Sequence, residues 1–246
     1  MSGHSKWSSI KHKKGINDAK RANVFTKIGR MVTIAAREGG GDLASNFKLK
    51  MVVDTARSAN MPKDNIERAI KRGTGELKDG AVIEEVIYEA YLPIRQAGGP
   101  DKIAMLIKTA TDNKNRTFGE VRGILTKGGG KTVPEGSVGY LFNQVGEIEV
   151  DIDGLETEDV EMKFIEAGAD DFEIEDGRAW VYVKLAELRA AKESLEKENL
   201  KIVNAQPTFI ASQKSEISEE DREKYEALLE KLDENDDVVE IYDNLK

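Results

Sequence analysis

Apolar positions in the first third of the chain recur at helical spacing. In "NDAKRANVFTKIGRMVTIAAREGGG" the side chains of Val24, Ile28, Met31, Val32 and Ala35 fall within an arc of about 100°, which predicts an amphipathic helix stopped by Gly39 to Gly41. Lys20, Lys27, Arg30 and Arg37 gather on a different arc, so one face is built to pack and the other is cationic. A second helix, roughly Ala44 to Ala59, turns Phe47, Met51 and the residues near Ala56 inward. A third starts at Pro62, where a missing N–H costs nothing, and ends before Gly73. Together they make a small helical bundle.

From Ala81 the pattern shortens to strands. "AVIEEVIYEAYLP" and "DKIAMLIKTATD" are aliphatic and β-branched runs separated by a Gly/Pro-rich loop. A helix follows with Phe118, Val121 and Leu125 as its apolar stripe, ended by Gly128 to Gly130. Next, "GEIEVDI" alternates as a strand, "TEDVEMKFIEAGA" is helical, and "DDFEIEDGRAWVYV" is a hairpin turning at Asp176-Gly177. The helix "LAELRAAKESLEKEN" and the strand "KIVNAQPTFI" complete a β-α-β-β-α-β series, the ferredoxin-like arrangement. A last helix, capped by Ser218 and carrying Tyr225, Leu228, Leu229 and Leu232, leads to the strand "VVEIY". The expected architecture is α+β with three domains. Residues 1–76 form a basic tail and three-helix domain, 80–133 plus 206–246 a discontinuous α/β domain, and 134–205 an inserted ferredoxin-like domain.

Charge changes this picture. The chain has formal net charge -9 and a pI near 5.1, yet residues 1–75 hold 16 Lys and Arg against 6 Asp and Glu, while the remainder holds 21 against 40. Such a split suits a basic module meant for a polyanion and an acidic body that stays off it. The opening "MSGHSKWSSIKHKK" concentrates the effect, with Lys6, Lys11, Lys13, Lys14, both histidines and Trp7. No run approaches the roughly 18 apolar residues of a membrane helix, and the start lacks the apolar stretch of a secretory signal. With no cysteine, disulfide and thiolate-metal chemistry are excluded; a cytoplasmic protein without membrane partner is expected.

Catalytic and cofactor chemistry find little support. "KGGGKT" at Lys127 to Thr132 resembles the end of a phosphate-binding loop, but the first glycine of that pattern is replaced by Leu125 and the segment trails a helix. His4 and His12, eight residues apart with no carboxylate or thiol nearby, have no fixed geometry for a metal or for acid–base work. Beside four lysines they fit phosphate contact or stacking. Trp7 can stack on a base or anchor the tail onto the bundle. The acids from Asp170 to Asp176 read as a solvated strand face, with Glu173 and Glu175 opposite buried Phe172 and Ile174, and "DENDD" at 233–237 as a polar turn. "TDNKNRTFGEVRG" sets Asn113, Asn115, Arg116 and Arg122 at a strand-to-helix junction, where free N–H groups favour an anion and ordinary capping explains some of the same residues. No catalytic residue, metal ligand or cofactor is expected. The expected nucleic-acid-binding set is His4, Lys6, Trp7, Lys11, His12, Lys13, Lys14, Lys20, Arg21, Lys27, Arg30, Asn113, Asn115, Arg116 and Arg122.

Six motifs in order, "GHSKW", "DAKR", "GGGD", "NMPKDNIERAI", "TDNKNRT" and "EGSVGYLF", span residues 3 to 142, and by them the chain resembles the YebC/PmpR family. The resemblance implies the same three-domain layout and a non-enzymatic cytoplasmic regulator of gene expression. Members are described as DNA-binding transcriptional regulators, a mitochondrial relative is the translational activator of cytochrome c oxidase, and bacterial members have been connected with ribosomes stalled on proline-rich sequences. The match to the tail runs through Gly3, His4, Ser5, Lys6 and Trp7, and to the next helix through Asp18, Ala19, Lys20 and Arg21. One departure is the longer loop "YLPIRQAGGPD" from Tyr91, where many members have a short glycine-rich turn. Two partners follow: ribosomal RNA or tRNA, with the ribosome, for a translation factor, or promoter DNA for a transcriptional regulator. For the latter, "PKDNIERAIKRG" offers Asn65, Arg68, Lys71 and Arg72 but no helix-turn-helix spacing.

Overall fold

A computed structural model describes residues 18–77, 81–94 and 102–246, with the backbone only at 18–21. Among the described residues three helices come first: α1 (Asp18–Gly39), α2 (Phe47–Ser58) and α3 (Lys63–Gly73). Val32, Ala35 and Ala36 of α1 close on Leu49, Val53 and Ala56 of α2 and Ile66 and Ala69 of α3 in one core, whereas Phe47 and Met51, expected on the inward side of α2, pack instead with sheet residues such as Ile148 and Ala205. Asn46 makes the first corner. Its Oδ1 caps α2 by accepting from Leu49 N at 3.0 Å, while its Nδ2 donates to Ala35 O and Gly40 O at 2.8 Å each, closing the carbonyl end of α1.

Gly73 sets how closely α1 and α3 approach. A Cβ there would lie 2.4 Å from Thr33 O and 2.7 Å from Ala36 Cβ, and neither backbone oxygen nor helix methyl can swing away. Gly73→Ala is therefore expected to destabilise the chain by about 1 to 3 kcal/mol through overpacking, read from chemical denaturation. An unchanged midpoint would mean that the helices are further apart than described.

Two four-stranded antiparallel sheets follow. The first has the order β3-β1-β2-β8, from β1 (Glu84–Pro93), β2 (Lys102–Thr111), β3 (Lys131–Val133) and β8 (Val238–Asp243). Helices α4 (Lys114–Lys127) and α7 (Glu219–Asp233) cover one face, burying Met105, Ile107, Val121, Leu125, Leu228 and Leu232 among others. The second sheet has the order β5-β6-β4-β7, from β4 (Phe142–Asp151), β5 (Asp171–Glu175), β6 (Arg178–Lys184) and β7 (Lys201–Ala211). With α5 (Thr157–Glu166) and α6 (Leu188–Lys197) it gives the βαββαβ series, lying in sequence between β3 and β8 of the first sheet. Its strands run from Phe142 to Ala211. The β5–β6 hairpin turns at Asp176 and Gly177, both with positive φ (49° and 74°), as the Asp-Gly pair requires. Between the sheets a small cluster joins Leu106, Val138, Phe142 and Tyr242, and the rings of Phe209 and Tyr242 meet edge-on at 5.1 Å.

Two sequence expectations change. Phe118 is 39% exposed, and the inward line of α4 is Thr117, Val121 and Leu125. Threonine can occupy the buried position because its hydroxyl bonds to Thr111 Oγ1 at 2.7 Å and to Asp237. Glu173 is not on a solvated face; its side chain is 11% exposed and lies 3.7 Å from Lys214 Nζ, just past β7. The glycines of "KGGGKT" serve packing: a Cβ on Gly128 would meet Leu228 Cδ1 at 2.7 Å, and one on Gly130 would meet Tyr91 O at 3.2 Å.

Candidate nucleic-acid interface

Part of the cationic arc of α1 is used inside the fold. Lys27 is 3% exposed, its Nζ 2.8 Å from Asp233 Oδ1 and also donating to Asp233 O. One turn on, Arg30 Nη1 donates to Ala110 O at 2.7 Å and pairs with Asp237 Oδ1. Asn23 Nδ2 adds bonds to the carbonyls of Asp233 and Glu234 at 3.4 and 3.3 Å. Both cations were expected to face nucleic acid, and both instead join the helical bundle to the turn between α7 and β8.

Asp237 is the centre of that joint. Its Oδ2 accepts from Arg116 Nη2 at 2.8 Å, from Thr111 Oγ1 at 3.2 Å and from Thr117 Oγ1, while Oδ1 faces Arg30. Its carboxylate side chain is 4% exposed. Burial alone would raise its pKa, but the donors Arg116, Arg30 and Thr117 outweigh burial and bring it down from 3.8 to about 2. Arg116 also holds Asp112 Oδ1 at 2.8 Å; these two carboxylates, Asp237 first, raise its already high pKa.

Asn113 caps α4, its Oδ1 accepting from Arg116 N at 3.1 Å. The helix N-terminus read as a possible anion site is therefore occupied by the chain's own cap, and Arg116 by the chain's own carboxylates. Asn115 and Arg122 remain exposed on α4. Lys20 and Arg21 lie in the first turn of α1. His4, Lys6, Trp7, Lys11, His12, Lys13 and Lys14 lie outside the described residues, as does 95–101 of the longer loop after Tyr91.

Cations also line the solvent side of α3, where Lys63, Arg68, Lys71 and Arg72 are all exposed. The bundle is fixed a second time on the other sheet: Met51 of α2 enters the core under β4–β7, Thr55 Oγ1 bonds Asn204 Oδ1 at 3.0 Å, and Lys192 stands 3.7 Å from Asp54. The "EGSVGYLF" segment wraps a buried carboxylate, Glu89, which accepts from the N–H groups of Gly136 and Val138 at 2.6 Å and of Gly139 at 3.0 Å. Burial would raise the Glu89 pKa, yet these amide donors hold it below its ordinary value.

Asp233 and Asp237, which the sequence presents as a polar turn, thus prove to anchor the joint. Their available signal was charge: "DENDD" is the acidic complement of the cationic arc on α1. Among the described residues no helix is long and apolar enough to cross a membrane, and no group of three or more His, Asp or Glu stands ready to hold a metal ion.

Comparison with known proteins brings the whole chain into one group. A family model described as the TACO1/YebC protein N-terminal domain matches residues 5–76, and one described as the TACO1/YebC second and third domain matches 83–245. Proteins called "probable transcriptional regulatory protein" are 44% identical in Caldanaerobacter subterraneus, over 100% of this chain and 98% of the relative, and 46% identical in Persephonella marina, over 100% and 96%. One from Acidithiobacillus ferrooxidans is 48% identical over 99% and 94%. The crystal structure of a conserved hypothetical protein from Aquifex aeolicus superposes with a TM-score of 0.87 at 41% identity, covering 98% of this chain and 97% of that one.

Proposed function

Since the chain belongs to the TACO1/YebC family, we propose that it is a non-enzymatic regulator of gene expression that binds nucleic acid, acting as a translation factor whose basic N-terminal segment contacts ribosomal RNA or tRNA. The observation that carries this reading is the separation of charge: 16 cations against 6 acids in residues 1–75, ahead of a body with 21 against 40. Lys27 and Arg30 are neutralised by that body, while Lys63, Arg68, Lys71 and Arg72 on the outer side of α3 are exposed to a polyanion and the sequence before α1 adds four further lysines. Lysine, histidine and tryptophan interleaved in one segment suit irregular RNA with accessible bases better than a regular duplex. The acidic body then sets position or touches protein on a ribosome in the cytoplasm. Catalysis is no part of this role, as the chain has no cysteine and only the two histidines of the tail.

The names carried by the relatives favour a second reading, a DNA-binding transcriptional regulator. It would use α3, with Arg68, Lys71 and Arg72 exposed, in a groove of the duplex. Binding by the full chain to ribosomes, to a structured RNA and to duplex DNA at near-physiological salt separates the two. Binding to ribosomes or structured RNA in preference to duplex is expected. Duplex binding with no ribosome or RNA binding would replace the first reading by the second.

A further inference from the structure

Most glycines among the described residues have a structural reason. Those such as Gly73, Gly128 and Gly146 stand where a Cβ would strike a neighbour, and those such as Gly40, Gly136 and Gly177 have positive φ. Among the described residues, Gly29, Gly119 and Gly123 have neither; a Cβ on Gly29 would rest in ordinary contact 3.6 Å from Met61 Cε, whereas one on Gly119 or Gly123, both in the middle of α4 at helical φ, would meet nothing within 4 Å. A glycine inside a helix costs stability relative to alanine, and nothing inside this fold asks for these two.

What surrounds them has a definite chemistry. Helical spacing places Asn115, Phe118, Arg122 and Thr126 on the same outer face as the two glycines, and all four are exposed. The Phe118 ring is braced, its centroid 5.6 Å from that of Tyr88, whose hydroxyl donates to Lys114 O at 3.1 Å. Arg122 makes no hydrogen bond or ion pair among the described residues, unlike Arg116, which is spent on Asp112 and Asp237. No carboxylate lies on this face, although residues 76–246 hold 40 of them; Glu120, at its edge, is turned to Asn235 at 2.8 Å.

We propose that this outer face of α4 is a docking surface for an unpaired RNA strand, a proposal that rests on the reading of the chain as an RNA-binding protein. Phe118 offers a fixed ring for a base to stack on, Arg122 a free guanidinium for phosphate or for a second base, and Asn115 and Thr126 hydrogen-bonding groups for base edges and the 2′-hydroxyl. The glycines leave a flat strip on which the sugar-phosphate backbone can close to the helix. A protein helix docking here would need a broad apolar stripe, and Phe118 is the one large apolar side chain on the face.

The test uses the full chain, a labelled oligouridine and a duplex DNA of equal length, with Phe118→Ala, Arg122→Glu and the double variant Gly119→Ala/Gly123→Ala. Each variant is expected to bind the oligouridine between about five- and a hundredfold more weakly, the range of losing a stacking or a phosphate contact. The double-alanine variant separates binding from folding, because it should melt at a higher temperature while binding less well. Ultraviolet irradiation of the wild-type complex and trypsin digestion should place a uridine adduct on the peptide Thr117–Arg122. Wild-type affinity in all three variants, with binding lost on reversal of the tail lysines, would overturn this inference and leave the proposed function standing. A wild-type chain that binds only the duplex would overturn both. Equal weakening of duplex and single strand in the variants would overturn the assignment to unpaired RNA.

Discussion

Asp237→Ala is expected to lower stability by about 3 to 5 kcal/mol, the largest loss from any single side chain outside the apolar cores. The change leaves Arg30 without its carboxylate, leaves Arg116 with Asp112 alone at hydrogen-bond distance, and removes the acceptor shared by Thr111 and Thr117. The cost falls on Arg30, whose side chain is only 21% exposed and loses its carboxylate, and on the buried hydroxyls of Thr111 and Thr117, since taking one partner from a buried polar contact costs more than the contact itself contributes. Asp237→Asn keeps an acceptor oxygen and is expected to cost less. Thermal unfolding of a chain of this size should shift by roughly 2 to 4 °C per kcal/mol, so the alanine variant is easily told from wild type. The same group gives an acid limb to stability. Its folded pKa, about 2, lies below the ordinary 3.8, so its contribution is fully present above about pH 4 and is lost as pH falls towards 2. The size of that contribution is about 2 kcal/mol, and it should vanish from the pH profile of the asparagine variant. An alanine variant as stable as wild type would remove Asp237 from the joint between bundle and sheet.

Reversing Lys6, Lys11, Lys13 and Lys14 to glutamate carries the second large expectation. Each lysine that neutralises a phosphate releases counterion, so four lost contacts should flatten the slope of log affinity against log salt by about 3 and weaken RNA binding about a hundredfold at physiological salt. Binding measured over a series of salt concentrations checks both parts. An unchanged slope would take the tail out of the interface and leave α3 and the face of α4 to carry the contact.

Much of the fold was legible because its signals are local. The apolar stripe of α1, the hydroxyl of Ser218 accepting from Asp221 N at 3.1 Å, the Asp176-Gly177 turn and the order of the βαββαβ series each depend on residues a few positions apart. The joint between the parts was not legible. Lys27 and Asp233 are 206 positions apart, and no periodicity says that a cationic arc and an acidic turn at opposite ends of a chain will meet. A basic helix face and a bundle-docking face look alike until the partner is in place. Thr117 shows the same limit on a smaller scale: pattern reading prefers Phe118 for the core, since the hydroxyls and carboxylate that let a threonine be buried come from Thr111 and, 120 positions away, Asp237. Of the candidate site, charge separation was readable from composition, but which cations face solvent was not, because exposure is decided by tertiary neighbours.

The separation has a physical consequence for how the chain would meet RNA. Lys27 and Arg30 tie α1 to one sheet while α2 lies on the other, so the bundle is held against the acidic body at two places. Cations that stay exposed on α3 are then presented from a fixed base. Acids in the body repel phosphate elsewhere, which favours one orientation over many.

Crosslinking in living cells, followed by sequencing of the attached nucleic acid and with the four-lysine reversal as control, tests the proposed role most directly. Recovery of ribosomal RNA or tRNA that is lost in the reversed variant is the expected result. Recovery of discrete promoter DNA, with no enrichment of either RNA, would contradict it and make this chain a transcriptional regulator.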